Sequence, residues 1–348
     1  MKIIMLEVNG FPYAFQTQKR HSPITKEQEY QRTVIVPGGG CTYYRGKKGD
    51  VCPFCAFPAF SREVNLGPGN ENFFGKWTLD SQIYTQMYLQ SMTDCADIGS
   101  IKIFNGGSYF PEAELPQDFQ HFIYQDVAKR SHIKQLVVES HPSYIKQRKL
   151  DIAKEMLGNT DLMVAMGFES HHNVIRNTIL KKGISLSLFE QKVRLLQRQG
   201  VQVFAYVFLK APQLSEKQAL DETLATLTYL HNLGVDEMAL SCAFVPEGTE
   251  LAKQYHLGTF RPPWLWSILE IIKVADKQGW PLSVGGFEDT PPPIAGPSNC
   301  VQCDPQINAI IDHHRLHGKI SAAPDVTCDC HSKWSAEMAN KTPFNRIL

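Results

Sequence analysis

The sequence has 348 residues, and its 35 Lys plus Arg balance its 35 Asp plus Glu, so the formal net charge is zero. This balance argues against strong electrostatic binding of nucleic acid by the surface as a whole. A local basic patch or a partner protein could still provide such binding. Nine cysteines without a secretory leader favour metal or cluster chemistry over a disulfide framework. We expect a cytoplasmic protein without a membrane span, because no segment reaches the roughly 20 apolar residues that a span needs.

The predicted elements alternate between strand and helix from residue 32 onward. Buried strands are predicted at 32–37, 100–104, 134–139, 162–167, 201–208, 237–241 and 282–284, because these segments are apolar through most of their length. The clearest helices are predicted at 79–96, 186–199, 215–233 and 264–277. This pattern predicts a parallel α/β sheet or barrel over 32–288, preceded by an N-terminal arm at 1–31 and followed by a cysteine-rich C-terminal segment at 289–348.

A loop directly after the first predicted strand carries three cysteines, Cys41, Cys52 and Cys55, with the spacing C-x10-C-x2-C. A structural zinc site needs four ligands, and so does a plain electron-transfer [4Fe–4S] cluster. Three thiolates therefore indicate a cluster with one iron open to an exogenous ligand, and a zinc loop or a thiol pair is the alternative. The aromatic residues Phe54 and Phe57 would help to shield such a cluster from water.

Unusual residues follow four successive predicted strands. They are Asn-Gly-Gly-Ser at 105–108, Glu-Ser-His-Pro at 139–142, Gly-Phe-Glu-Ser at 167–170 and Lys-Ala-Pro at 210–212. The site of a parallel barrel lies at the carboxyl ends of its strands, and glycines there let backbone approach a ligand closely. Each segment alone could be a plain turn, but four in register beside a three-cysteine loop indicate a binding site.

Four further cysteines form two close pairs in the C-terminal segment: Cys300, Cys303, Cys328 and Cys330. Two pairs of soft ligands fit a tetrahedral zinc site or a second cluster, with free thiols as the alternative. A metal would supply folding energy that this segment, with little apolar sequence, lacks. Cys95 and Cys242 are expected in the core, whereas His313, His314 and His317 are expected on a solvated face.

These motifs resemble those of the radical S-adenosylmethionine (radical SAM) superfamily, whose members hold a [4Fe–4S] cluster by three cysteines. The long gap between the first two cysteines resembles branches related to the Elongator catalytic subunit. The segments at 167–183, 208–219 and 260–267 resemble, in order and spacing, the archaeosine-biosynthesis radical SAM family, whose members partner archaeosine synthase on tRNA. The similarity covers residues 32–304, which is most of the chain.

This resemblance implies a partial (β/α)6 TIM-like barrel that holds one [4Fe–4S] cluster, on the three loop cysteines, and S-adenosylmethionine. Its cofactor residues would be Gly106, Gly107 and Ser108 at the methionine amino group, Glu139, Gly167, Glu169 and Ser170 near the ribose, and Lys210. The segment at 245–249 could hold the adenine.

In this family one electron from the cluster cleaves S-adenosylmethionine to methionine and a 5′-deoxyadenosyl radical, which abstracts a hydrogen atom from the substrate. By analogy, the substrate would be a lysine-modified deazaguanine base in tRNA, cleaved to leave an amidine. The expected partners are a ferredoxin- or flavodoxin-like reductant and tRNA or a tRNA-modifying protein. The alternatives are a radical SAM enzyme acting on a small metabolite or peptide, and a non-catalytic, zinc-stabilised binding protein.

Overall fold

A computed structural model describes residues 3–38, 40–48, 50–55, 78–287, 292–320 and 326–339. Nine strands form one sheet in chain order: β1 (Ile4–Val8), β2 (Phe11–His21), β3 (Gln28–Ile35), β4 (Ile98–Phe104), β5 (Gln135–Glu139), β6 (Asp161–Glu169), β7 (Gln202–Leu209), β8 (Glu237–Cys242) and β9 (Leu282–Val284). Strands β1 to β3 pair antiparallel, and every neighbouring pair from β3 to β9 is parallel. The predicted α/β class and partial barrel are confirmed.

Helices lie in the connections between the parallel strands and in the C-terminal segment. They are α1 (Thr42–Gly46), α2 (Ser81–Ser91), α3 (Gln117–Lys129), α4 (Gln147–Leu157), α5 (Leu186–Arg198), α6 (Glu216–Asn232), α7 (Glu250–His256), α8 (Leu265–Gln278), α9 (Asp304–His317) and α10 (Cys330–Ala339), with a 3₁₀ turn at Pro142–Tyr144 and a π-helix at Val174–Ile179. No helix in the described ranges is long and apolar enough to cross a membrane.

The helices begin and end where local chemistry predicts. Ser215 and Gln218 form a capping box at the start of α6, each side chain accepting a backbone N–H of the other. α8 ends at Gly279, whose left-handed conformation, with a φ of +66°, favours glycine. One apolar face of each long helix then packs against the sheet, as Phe189 and Val193 of α5 do.

The sheet is curled, as contacts between distant strands show. Arg20 of β2 lies 2.8 Å from Glu237 of β8, and Lys102 of β4 donates to the hydroxyl of Tyr206 of β7 at 2.7 Å. In a flat sheet, six strand spacings of about 4.8 Å would separate β2 from β8 by about 29 Å. The sheet therefore closes around an interior that contains charged side chains.

The N-terminal arm contributes strands that the sequence analysis did not predict. Residues Ile4–Val8 and Phe11–His21 form β1 and β2, which extend the parallel part of the sheet by antiparallel pairing. β2 is rich in Gln, Lys and Arg, so its strand pattern is weak, yet Tyr13 is fully buried and donates to Gln90 at 2.6 Å. β3 runs across the boundary predicted at 31/32, and the domain boundaries stay predictions.

Two expectations for the core have different outcomes. Cys95 and Cys242 are buried, as predicted. The solvated histidine face is wrong for His314, which is buried, and this burial lowers the pKa of its imidazole to about 4. Ile307 and Ile311 explain the difference, because they lie on the same face of α9 and turn His314 towards the barrel.

We predict that Arg20→Met lowers the free energy of unfolding by about 3–5 kcal/mol, because it leaves the buried Glu237 carboxylate uncompensated. The matched control is Arg194→Met, since the Arg194 side chain is 61% exposed in its ion pair with Glu190. That control should change stability by at most about 1 kcal/mol. Equilibrium urea denaturation followed by circular dichroism compares the two. Equal stability of the variants would contradict a closed interior that depends on this pair.

Candidate active site

The cysteine loop, residues 41–55, begins just after β3, at the carboxyl ends of the parallel strands. Cys41 precedes α1, and its Sγ accepts a hydrogen bond from the backbone N–H of Tyr44 at 3.4 Å. Gly38 lies so close to the end of β4 that any side chain would overlap the carbonyl oxygen of Asn105. Glycine is therefore required at this position, since only a residue without Cβ lets the two strand ends touch.

A buried glutamate that sequence reasoning missed, Glu114, joins the cysteine loop to the predicted cofactor turn. One carboxylate oxygen accepts the N–H of Thr42 at 2.8 Å, and the other accepts the N–H of Ser108. Burial raises the pKa of this carboxyl, and the hydrogen bonds oppose that shift. An added Cβ at Gly107 would overlap Glu114 and lie 3.1 Å from Cα of Cys41. No spacing in the sequence signals Glu114, because its partners meet only in the fold.

His141, in the turn after β5, contacts the cysteine loop from a second strand end. Its ring stacks on Tyr43 with the centroids 4.9 Å apart, and the Tyr43 hydroxyl donates to the carbonyl of Lys181 at 3.1 Å. Burial and the nearby Lys182 ammonium lower the pKa of His141 to about 4, so the ring is neutral near pH 7. Because Nδ1 accepts the Ser143 N–H at 3.2 Å, Nε2 carries the proton and donates to the Lys182 carbonyl at 3.3 Å.

An ion pair between Lys182 and Glu169, a predicted site residue at the end of β6, lies beside the cysteine loop. Lys182 Nζ lies 3.0 Å from Glu169 Oε1 and 5.8 Å from the ring centre of Phe54. Burial alone would lower the pKa of Lys182, but Glu169 and Cys52 outweigh burial and raise it. An added Cβ at Gly167 would lie 2.7 Å from Lys182 Nζ and 2.8 Å from Glu169 Oε1, so this glycine makes room for the pair.

The far end of the cysteine loop packs on two more strand ends. Phe54 stacks on Phe208 of β7 with the ring centroids 4.4 Å apart. The carbonyl of Pro53 accepts the N–H of Leu251, which follows β8, at 3.2 Å. Phe54 thus lies on the barrel rim, where the sequence analysis expected it to exclude water, whereas Phe57 lies outside the described residues.

The segments predicted to hold the methionine and the adenine of S-adenosylmethionine form turns at the same edge of the sheet. Gly106 has a φ of +68°, which favours glycine, and the side chain of Asn105 donates to the Ser108 carbonyl at 3.1 Å. In the segment at 245–249, Val245 pairs with Ala295 of a neighbouring segment. These contacts place both turns beside the ends of their strands, and their roles stay predictions.

Two other predicted cofactor residues are engaged by acidic side chains. Ser170 is fully buried and donates to Glu222 of α6. Lys210 is also buried and forms an ion pair with Glu216, whose other oxygen accepts the N–H of Trp264 at 2.9 Å. A binding role for either residue would have to operate together with these contacts.

The three loop thiols belong to the segment at the barrel rim, and their role as cluster ligands stays a prediction. Burial raises the pKa of Cys41 to about 12 and also raises the pKa of Cys52. The backbone N–H of Cys55 donates to the carbonyl of Cys52 at 3.0 Å, which forms the turn between this close pair. Iron binds the deprotonated form of a thiol. The positive charge of the irons would therefore stabilise the thiolates, which burial alone disfavours.

Below the rim, the barrel interior holds a polar cluster centred on Lys102. Its ammonium lies 4.7 Å from the ring centres of both Phe104 and Phe204, and 5.1 Å from that of Tyr206. The Tyr206 hydroxyl accepts from Lys102 and donates to Glu139. Burial lowers the pKa of Lys102 and raises the pKa of Glu139.

Glu237 completes this interior cluster with an unused acceptor. Its Oε2 pairs with Arg20 at 2.8 Å, while Oε1 is buried and has no hydrogen-bond partner within the described parts of the chain. A buried acceptor without a partner marks a place for a water molecule or for a polar group of a ligand.

The structure brings the four cysteines of the C-terminal segment together as well. The Sγ atoms of Cys300, Cys303, Cys328 and Cys330 all lie within 4.8 Å of one another. This grouping can bind a metal ion.

Known proteins are similar to this chain in sequence and in fold. Archaeosine synthase subunit beta of Methanosarcina acetivorans is 25% identical over 234 residues, covering 67% of this chain and 67% of that protein. Archaeosine synthase subunit beta of Thermococcus kodakarensis is 22% identical over 314 residues, covering 88% and 91%. The solved structure of Elp3 of Methanocaldococcus infernus matches with a TM-score of 0.50 and 17% identity, covering 68% of this chain and 60% of that one. No protein-family model matches the sequence.

The chain therefore has the partial-barrel fold of the Elp3 structure, and its sequence is similar to that of archaeosine synthase beta subunits. The similarity to two archaeosine synthase beta subunits agrees with the resemblance predicted from the segments at 167–183, 208–219 and 260–267.

We predict that Glu114→Gln lowers the iron content of the reconstituted protein and loosens the cysteine loop. The amide must turn one N–H towards a backbone N–H, either of Thr42 or of Ser108, so a charge-assisted hydrogen bond worth about 1.5–3 kcal/mol is lost. Iron and sulfide analysis after anaerobic reconstitution measures the effect. The control is Glu112→Gln, because the Glu112 side chain is 60% exposed. Equal iron content in the two variants would show that Glu114 does not hold the loop.

Proposed function

We propose that this enzyme cleaves S-adenosylmethionine reductively and uses the resulting radical to modify a base in tRNA. The observation that carries the proposal is the position of the cysteine loop. Glu114, Tyr43 and Phe54 attach it to the turns or ends of three different parallel strands. In parallel barrels this edge is where ligands bind, so a cofactor held by the loop would face the barrel interior.

Cys41, Cys52 and Cys55 would bind three irons of a [4Fe–4S] cluster and leave the fourth iron for S-adenosylmethionine. When bound, this cofactor pair supplies a radical able to remove an unactivated hydrogen atom from the substrate. The residues of the chain itself would bind and orient this cofactor pair. Its proposed cofactor residues are Gly106, Gly107, Ser108, Glu139, Gly167, Glu169, Ser170 and Lys210.

The aromatic residues at the rim exclude water from the proposed cofactor site. Phe54 and Phe208 stack across the gap between the cysteine loop and β7. Neutral His141 and Tyr43 close the side of the loop above β5. A site without water protects a reactive radical from side reactions, which is a requirement of this chemistry.

The interior polar cluster suits a substrate that carries both an amine and a carboxylate. Lys102 offers an ammonium group for a carboxylate. At the amino end of β8, Oε1 of Glu237 has no partner among the described residues and offers an acceptor for an amine. A lysine-modified deazaguanine base carries both groups on its lysine part. The sequence relationship to archaeosine synthase beta subunits supports this substrate class. A tRNA and an archaeosine-type partner protein are the proposed macromolecular partners, with a ferredoxin- or flavodoxin-like protein as reductant.

We predict that replacing any one of Cys41, Cys52 and Cys55 by Ala abolishes both the brown colour and the cleavage of S-adenosylmethionine. Each replacement removes one of only three protein ligands of the proposed cluster. Anaerobic reconstitution, followed by quantification of methionine and 5′-deoxyadenosine, measures the activity. Cys95→Ala is the control, because Cys95 is buried away from the loop. A wild-type protein that binds zinc at the loop and stays colourless would instead favour the non-catalytic binding protein.

The substrate is tested with Lys102→Met, which should lower modification of a tRNA bearing the lysine-modified base at least about tenfold, as expected when a charged hydrogen bond is lost. Slow cleavage of S-adenosylmethionine without substrate should remain. The control is Lys273→Met, whose side chain is 57% exposed. Unchanged tRNA modification would exclude Lys102 from substrate recognition. Turnover of a free lysine-bearing nucleoside at the rate of the tRNA, with no salt dependence, would favour a small-molecule enzyme.

A further inference from the structure

The four cysteines of the C-terminal segment are closer together than the corners of an iron–sulfur cluster require. The Sγ–Sγ distance is 3.6 Å for Cys300 and Cys303, 3.5 Å for Cys300 and Cys328, and 3.4 Å for Cys303 and Cys330. Four thiolates around one Zn²⁺, each at about 2.3 Å from the ion, lie about 3.8 Å apart. In a [4Fe–4S] cluster each thiolate binds a different iron at the outside of the cube, so the sulfurs lie farther apart.

The surroundings of these sulfurs provide the hydrogen bonds that metal thiolates accept. The indole N–H of Trp266 donates to Sγ of Cys330 at 3.4 Å, and the Asn299 side chain donates to Sγ of Cys303 at 3.6 Å. Asp304 Oδ1 accepts the N–H of Cys300 at 3.0 Å and so fixes the turn between the first two cysteines. Donors of this kind orient thiolate ligands and partly offset their negative charge.

The C-terminal segment also needs such a site for its own attachment. In α10, the side chain of Cys330 is buried, whereas Trp334 and Met338 are only half-buried against the main core, so apolar packing holds this helix only in part. The polar contacts of α10 with the barrel are few in the described chain: Trp334 donates to Ser267 at 2.9 Å, and Glu337 pairs with Arg261 at 3.1 Å. A metal joining residues on both sides of α9 would supply the missing attachment energy.

One of those contacts continues to the rim of the barrel. The Ser267 hydroxyl donates to Glu216 Oε1 at 2.6 Å, and Oε2 of the same glutamate pairs with Lys210. Lys210 directly follows β7 and has a φ of +71°, an unusual conformation for a residue with a side chain. A chain of hydrogen bonds thus runs from Trp334 of α10 to the end of a strand that faces the proposed cofactor.

We propose that Cys300, Cys303, Cys328 and Cys330 bind one structural Zn²⁺ ion, which fastens α10 to α8 and thereby steadies the end of β7. The site is independent of the radical chemistry. Each thiol that is still protonated loses its proton and binds zinc as a thiolate, so binding releases protons and needs no oxidant or reductant.

Metal analysis of the full chain, purified anaerobically, tests the occupancy. We expect about one zinc per chain in the wild type and less than about 0.1 in Cys328→Ser, with the iron of the cysteine loop unchanged. Cys95→Ala should keep its zinc, and Cys41→Ala should lose iron but keep zinc. Zinc retained in Cys328→Ser would overturn the proposal. So would a parallel loss of iron and sulfide in that variant, because it would reveal a second cluster.

Cobalt provides a readout that does not depend on whether a cysteine variant folds. Wild-type protein and Trp334→Phe both keep all four thiols, so Co²⁺ bound in place of zinc should give sulfur-to-cobalt charge-transfer bands and the strong visible bands of tetrahedral cobalt. Weak bands of octahedral cobalt, or no charge transfer, would overturn the four-thiolate site.

Hydrogen exchange tests the attachment, and it needs neither S-adenosylmethionine nor tRNA, so its outcome is separate from that of the proposed function. Chelation of the zinc should speed exchange in 330–339, 264–267 and 210–216, whereas α4 (Gln147–Leu157) serves as the unchanged control. Trp334→Phe should keep zinc but exchange about fivefold to tenfold faster at 264–267 and 210–216, as expected when one hydrogen bond is lost. Exchange unaffected by zinc removal would overturn the role in attachment.

Discussion

The contact between the cysteine loop and the turn after β4 is the constraint on which the proposed site depends. Gly107 has no side chain, so Cys41 and the Glu114 carboxylate can lie directly against it. Glu114 then accepts one backbone N–H from each side of the contact, from Thr42 and from Ser108. Burying a carboxylate costs free energy unless it is fully hydrogen-bonded. The N–H groups of the two segments therefore stabilise the buried glutamate, and the glutamate in turn fixes the two segments. The position of Cys41, and with it the position of any cluster, follows from this arrangement.

The charged residues of the barrel interior have a different physical basis. Lys102, Glu139 and Glu237 lie in a region that apolar side chains could fill with less loss of solvation, as the packed side chains of Val137 and Phe204 do nearby. Arg20 offsets part of the cost, since it reaches across from β2 to Glu237. Among the described residues this interior keeps a buried ammonium and a carboxylate oxygen without a hydrogen-bond partner, which costs stability and fits the polar ligand proposed above.

The two cysteine groups have different surroundings, in keeping with the different roles proposed for them. The loop cysteines lie on a rim, close to Lys182 and to aromatic rings, where an exogenous ligand could reach an open iron. The cysteines of the C-terminal segment form a compact set in which each sulfur has another as its neighbour, which leaves no position for a substrate. The loop cysteines would suit a cofactor that takes part in a reaction, and the four cysteines of the C-terminal segment would suit a structural metal.

The sequence by itself determined the alternation of strands and helices, because runs of apolar β-branched residues and amphipathic helices are local patterns. The strand at 282–284 was predicted with its observed bounds. Local spacing also predicted both cysteine groups and the glycine turns, and the structure brings the four cysteines of the C-terminal segment together. β1 and β2 were missed, because β1 is short and mostly exposed, while the polar residues of β2 form a strand only by pairing with β1 and β3.

Only the tertiary structure decided which groups meet. Glu114 joins residues far apart in the chain, the Lys102, Tyr206 and Glu139 contacts need the sheet to curl, and Lys210 finds Glu216 only once β7 and α6 have packed. Such contacts join residues from separate strands and helices, so periodicity and spacing carry no signal of them. Their physical cause is burial, which leaves each charged or polar group to find its partner among whatever neighbours the fold provides.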